Sequence, residues 1–156
     1  MTSPVSMPAG HKMVATDFDA YENATAAWTS YTPAWTASSV NPALGNGTLT
    51  GNYTQVGKLV FLRIVLTMGS TSTFGTGAWS ISLPVGAKAS SIIGALAEDS
   101  SASQRWAGQV RIITTSATGD NMRIVVADAS GAVNSTVPFT WATSDSLILS
   151  GLYEAA

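Results

Sequence analysis

Residues Thr48 to Met68 run Thr-Leu-Thr-Gly-Asn-Tyr-Thr-Gln-Val-Gly-Lys-Leu-Val-Phe-Leu-Arg-Ile-Val-Leu-Thr-Met. Two runs of strand-forming residues flank Gly57 and Lys58, so the stretch predicts strands over 48–56 and 59–68 joined by a tight connection. Gly51, inside the first run, predicts a bulge. The second run is apolar on both faces. Val60, Leu62, Ile64, Leu66 and Met68 fall on one side; Leu59, Phe61, Arg63, Val65 and Thr67 fall on the other. An antiparallel strand usually shows one face to water, so a doubly apolar strand is either central or covered by a neighbouring subunit.

The same alternation extends in both directions. Upstream, Tyr31 and Trp35 bracket a proline and predict a first strand, followed by a turn-rich loop through Asn41-Pro42 and Leu44-Gly-Asn-Gly47. Downstream, Trp79, Ile81 and Leu83 alternate with serines up to Pro84, and 91–96 forms a weaker strand before a polar loop from Glu98 to Ser103. Trp106, Gly108, Val110 and Ile112 make the next strand, and Met122, Ile124 and Val126 another. Val137, Phe139 and Trp141 follow, and Leu147, Leu149, Gly151 and Tyr153 close the chain. Eight or nine short strands at even spacing predict an all-β, jelly-roll-like β-sandwich over 31–156.

Residues 1–30 differ in character. Met1 to Gly10 holds two prolines and predicts an extended arm. Thr16 can cap a short helix whose first turn carries Asp17 and Asp19. Val14, Phe18, Tyr21, Thr25 and Trp28 then recur at heptad-type spacing, a stripe too short to be stable unless it packs on something. The expectation for this segment is attachment or trimerisation.

Composition narrows the function classes. A chain of 156 residues and 16.0 kDa is long enough for one domain with a real core. Its net charge of -2 and pI near 5.1 argue against a nucleic-acid surface. Charged residues make up 10% of the chain, whereas Ser and Thr number 39, giving a hydroxyl-rich, weakly charged surface suited to a packed assembly or to sugars. There are no cysteines for disulfides or thiolate metal sites. Leu59 to Leu66, the longest apolar run, is broken by Arg63 and too short to span a membrane. The N-terminus lacks a continuous apolar stretch, so the expectation is synthesis in a host cytoplasm without a signal peptide.

Catalytic constellations are missing from the pattern. His11 is the single histidine and lies in the N-terminal arm, which removes a Ser-His-Asp triad and a histidine-rich zinc site. Glu98 and Asp99 are adjacent and so point apart, unlike a glycosidase pair. Gly45-Asn-Gly47 and Gly75-Thr-Gly77 lack the lysine and following helix of a phosphate loop. The expectation is a non-enzyme with no catalytic residue, cofactor or metal ligand. Trp79, Trp106 and Trp141 are expected in the core, with Trp28 and Trp35 free to serve an interface.

One ordered set of motifs carries a resemblance: Tyr31-Thr-Pro-Ala-Trp35-Thr, Leu44-Gly-Asn-Gly-Thr-Leu-Thr-Gly-Asn-Tyr53, Val56-Gly-Lys58 and Phe74-Gly-Thr-Gly-Ala-Trp79-Ser-Ile-Ser-Leu-Pro84. Together they resemble virion proteins of tailed bacteriophages infecting actinobacteria, of the minor tail, tail-fibre or head-fibre type. The resemblance implies a virion structural protein, a homotrimer at a fibre tip contacting the host surface. Capsid decoration and a carbohydrate-binding module for host cell-wall glycan are the alternatives. Expected partners are identical copies, other virion proteins through the N-terminal segment, and that glycan; nucleic acid and membrane insertion are not expected. The expected oligomer interface joins Val14, Phe18, Tyr21 and Trp28 to Leu59, Phe61, Arg63 and Val65, its three-fold order coming from the resemblance alone.

Overall fold

The computed structural model describes Gly10, Val14 and residues 27–113, 121–126 and 131–156. The predicted helix from Thr16, with Phe18, Tyr21 and Thr25, lies outside the described residues. Among those described there is no helix, and nine strands form one antiparallel sheet. They are β1 (Thr29–Tyr31), β2 (Trp35–Ala37), β3 (Thr48–Val56), β4 (Leu59–Thr67), β5 (Trp79–Ser82), β6 (Ile92–Asp99), β7 (Gln104–Ile113), β8 (Asn121–Val126) and β9 (Ser146–Glu154).

Their order across the sheet is β1-β3-β4-β9-β6-β7-β8-β5-β2. The all-β class and the strand count agree with the sequence; the arrangement corrects it. A jelly-roll sandwich divides its strands between two facing sheets, whereas here every strand has its place in one continuous ladder. The two edge strands, β1 and β2, are neighbours in the chain, joined by Thr32, Pro33 and Ala34. A connection of three residues spans only about 10 Å, so the sheet must curl until its edges meet.

The Tyr31 side chain crosses that seam, its hydroxyl donating to the Ser82 carbonyl at 3.3 Å. Ala34 in the link extends the β2–β5 pairing: its N–H donates to Ser82 Oγ at 2.8 Å and its carbonyl accepts from Ser82 N–H at 3.0 Å. Gly51 makes room for this joint. It keeps regular register with both Tyr31 and Ile64, so it is not the predicted bulge. A Cβ at Gly51 would collide with the Tyr31 ring and lie 2.7 Å from Pro33 Cγ, closer than real carbon atoms approach. Burial and a nearby Tyr153 push the Tyr31 phenol above the ordinary tyrosine range, as expected of a hydroxyl held neutral in the seam.

The curl places one face inside. Val60, Leu62, Ile64, Leu66 and Met68 are buried, as predicted, in one core with Leu147 and Leu149 of the neighbouring β9 and with Ile112, Met122 and Ile124 of β7 and β8. Trp79 and Trp141 join them, as expected. Trp106 is half-buried, stacked on Phe139 at 4.6 Å. Trp35 departs from expectation: it is buried edge-to-face on Trp79 at 4.8 Å and serves the core, not an interface. The 137–141 segment also differs, being irregular rather than a strand. Trp141 Nε1 donates to the Val137 carbonyl at 3.3 Å, folding the segment onto itself so that Phe139 and Trp141 cap the barrel interior.

Candidate functional site

Directly opposite residues on antiparallel strands share a face, so the register determines which outward side chains line up. Thr54 of β3 faces Phe61 of β4, which faces Leu152 of β9. Ile92 of β6 continues this line two residues from the Gly94–Ser150 pair. Trp28, just ahead of β1, sets its ring edge-on to Phe61 with centroids 5.3 Å apart. Trp28, Leu152 and Ile92 keep 48%, 50% and 64% of their surface exposed, on a face that antiparallel sheets normally make polar. A parallel row, half-buried, holds Val65, Ile148 and Leu96. Charges bracket the apolar row. Arg63 stands on one side between Asn52 and Ser150, and Glu154 stands on the other, opposite the exposed Leu59.

The interface residues expected from sequence therefore separate into three groups. Leu59, Phe61, Arg63 and Val65 share the outer face, and Trp28 packs onto it. Val14 is exposed. Phe18 and Tyr21 lie outside the described residues. Sequence reasoning missed Leu152, Ile148 and Ile92. Its signal was present, since Ile148, Ser150 and Leu152 alternate with the core residues Leu147, Leu149 and Tyr153.

A second feature sits where β6 turns into β7. A depression of about 200 Å³ is lined by Glu98, Asp99, Gln104, Arg105 and four serines. Among the described residues, two non-glycine residues have left-handed backbone, Ser103 and Ser144, and both line it, at φ 54° and 73°. Its carboxylates and the neighbouring Asp145 are engaged in holding loops. Asp145 is buried; its Oδ1 accepts from Ser100 N–H at 2.9 Å and its Oδ2 from Ala142 N–H at 2.7 Å, tying the 99–103 turn to the 141–145 turn. Glu98, on the outer face, accepts from Arg105 Nε at 2.6 Å and Ser146 Oγ at 2.9 Å. Asp99 accepts from the Ala102 and Ser101 N–H groups at 2.9 Å each and from Ser101 Oγ at 2.7 Å. The two adjacent carboxylates thus serve different partners, as their alternation requires. Among the described residues no group of three or more His, Cys, Asp or Glu is placed to hold a metal ion.

These bonds lower both carboxyl pKa values, for Glu98 chiefly through Arg105 and then Ser146, for Asp99 chiefly through Ala102 N–H and then Ser101. A depressed folded-state pKa contributes stability above the unfolded value and loses it as pH falls through the folded value. The thermal midpoint is therefore expected to hold from neutral pH down to about pH 4 and to fall below it. In Glu98→Gln and Asp99→Asn that acid-side decline should be shallower than in the parent, measured by melting curves between about pH 2 and 7. Parallel acid limbs would show that neither carboxylate stabilises the turn.

No protein-family profile matches the chain, and no solved structure matches it. It is similar to the Mu-like prophage FluMu defective tail fiber protein of Haemophilus influenzae, with 31% identity over 129 residues. That similarity covers 80% of this chain and 20% of the relative, so the chain spans about a fifth of the length of the curated relative it matches. Among the described residues no helix is long and apolar enough to cross a membrane.

Proposed function

We propose that this chain is a non-enzymatic structural protein of a phage tail, a tail-fibre or fibre-tip component that acts as a homotrimer. The observation that carries this reading is the similarity to a tail fiber protein along 80% of the chain. That name favours the tail over capsid decoration or a head fibre, and it supports a location in the virion. Actinobacterial hosts rest on the sequence resemblance alone.

The outer face supports self-association. A lone barrel leaves Trp28, Leu59, Leu152 and Ile92 in water, and burying a large apolar side chain is worth roughly 1.5–3 kcal/mol. Several per subunit offset much of the cost of bringing three copies together. Arg63 and Glu154, set on opposite sides of the apolar row, can then meet opposite charges on the next copy. Trp28, the residue before β1, packs on this face, and the N-terminal segment 1–30 attaches the barrel to other virion proteins. Contact with host cell-wall glycan belongs to the exposed loops. The serine-lined depression has no aromatic side chain on which a sugar ring could stack.

Light scattering on the purified chain at micromolar concentration tests the assembly. The expected mass is three times the 16.0 kDa chain, and a 16.0 kDa particle refutes the trimer. Deleting Met1 to Trp28 should leave a folded β-domain that no longer enters particles. Normal incorporation of the truncated chain refutes the attachment role.

A further inference from the structure

Beyond the apolar row, the outer face becomes cationic. Arg111 of β7 lies directly opposite Arg123 of β8, and Arg123 lies directly opposite Ser80 of β5. Such partners hold their Cβ atoms roughly 4.5–5.5 Å apart, and like charges so placed destabilise a sheet. Both arginines are exposed. Arg105 pairs with Glu98, but neither Arg111 nor Arg123 has an ion pair or hydrogen-bond partner for its guanidinium among the described residues. The neighbouring outward positions hold Ile92, Gln109, Val125 and Ser80, with no carboxylate. A chain of net charge -2 with seven Lys and Arg has set two of them against each other, with no compensating charge paired to them among the described residues.

We propose that Arg111 and Arg123 form an oxyanion site for the phosphate group of an organic phosphate ester, with the Ser80 hydroxyl as a third donor. Each guanidinium presents a planar fork of N–H donors that matches phosphate bidentately. Two positive charges side by side balance a phosphate monoester of about -1.5 to -2, whereas a single carboxylate or phosphodiester would leave one of them uncompensated. Exposed Val125, the next outward residue along β8 from Arg123, gives carbon attached to the phosphate an apolar surface to rest on. This site is independent of the trimer and of the tail assignment, and its failure leaves both intact.

The test uses the purified full chain and three probes at matched ionic strength: glycerol 3-phosphate, an oligomer of glycerol phosphate, and an oligomer of galacturonate. Glycerol 3-phosphate is expected to raise the thermal midpoint of the parent and to bind it by calorimetry, more tightly per phosphate than the oligomer, whose internal phosphates carry one charge each. In Arg111→Gln/Arg123→Gln the affinity should fall by at least about tenfold and the midpoint shift should vanish. The unliganded double variant should be no less stable than the parent, because the repulsion is gone. That melting curve separates lost binding from lost folding. Arg111→Lys/Arg123→Lys keeps the charge and loses the forks, so it should bind with intermediate strength. Tighter binding per phosphate by the oligomer than by the monoester overturns the preference for a monoester. Equal affinity of parent and glutamine variant overturns the site, and galacturonate binding as tight as phosphate binding overturns the assignment to phosphate.

Discussion

Trp79→Ala should cost about 3–5 kcal/mol of unfolding free energy, the range for removing a fully buried aromatic side chain. Trp79 is 0% exposed and sits at the centre of the aromatic cluster. Its ring meets Trp35 at 4.8 Å, Trp141 at 5.1 Å and Phe74 at 6.4 Å, and its Nε1 donates to the Phe74 carbonyl at 2.9 Å. Truncation would empty a space bounded by three rings and leave a half-buried carbonyl without its donor. The damage would spread to the seam, because β5 carries both Trp79 and Ser82, and Ser82 fastens the link between β1 and β2. Denaturant unfolding measures the loss. Trp106→Ala serves as the internal comparison, since Trp106 is half-buried and stacks on Phe139 at the periphery. A Trp79→Ala loss no larger than that of Trp106→Ala would mean the cluster around Trp79 is not the centre of the core.

Phe61→Glu should convert the proposed trimer to monomers at micromolar concentration without unfolding the barrel. Phe61 points outward, half-buried between Thr54, Leu152 and the Trp28 ring, so a carboxylate there stays hydrated in the monomer. In the proposed trimer it would be buried three times over, near two other copies of itself. An unpaired charge taken out of water costs several kcal/mol, enough to outweigh one or two apolar contacts per subunit. Val40→Glu gives the control. Val40 is exposed but lies in the loop after β2, away from this row, so the trimer should survive that change. A Phe61→Glu protein that remains trimeric would move the interface to another face. A parent that is already monomeric would remove the trimer altogether.

The motifs that carry the resemblance have a common structural role. Tyr31, Pro33, Gly51 and Ser82 make the seam, while Trp35, Phe74 and Trp79 pack beneath it. The Leu44-Gly-Asn-Gly47 loop is hooked to its neighbour by Asn46 Oδ1, which accepts from Thr71 N–H at 3.0 Å, and by Ser72 Oγ, which donates to the Leu44 carbonyl at 2.6 Å. These residues hold the curled sheet closed.

Sequence alone determined the strands that alternate strongly and the inward face of β4. Side-chain period in a strand is two, so a run such as Val60, Leu62, Ile64 and Leu66 can bury only one set of positions together. It also determined that β4 has a second apolar face, where Leu59, Phe61 and Val65 stand. Tertiary structure alone decided the rest. That β1 and β2 lie at opposite edges of one sheet depends on which distant strands pair, and local pattern carries no record of pairing partners. Gly51 shows the same limit. A bulge and a close approach both favour a residue without a Cβ, and only the Tyr31 ring laid across it tells them apart. The cross-strand pair of Arg111 with Arg123 lies in the same category. The two arginines stand on different strands, each unremarkable by itself, and the register of β7 on β8 brings their charges face to face.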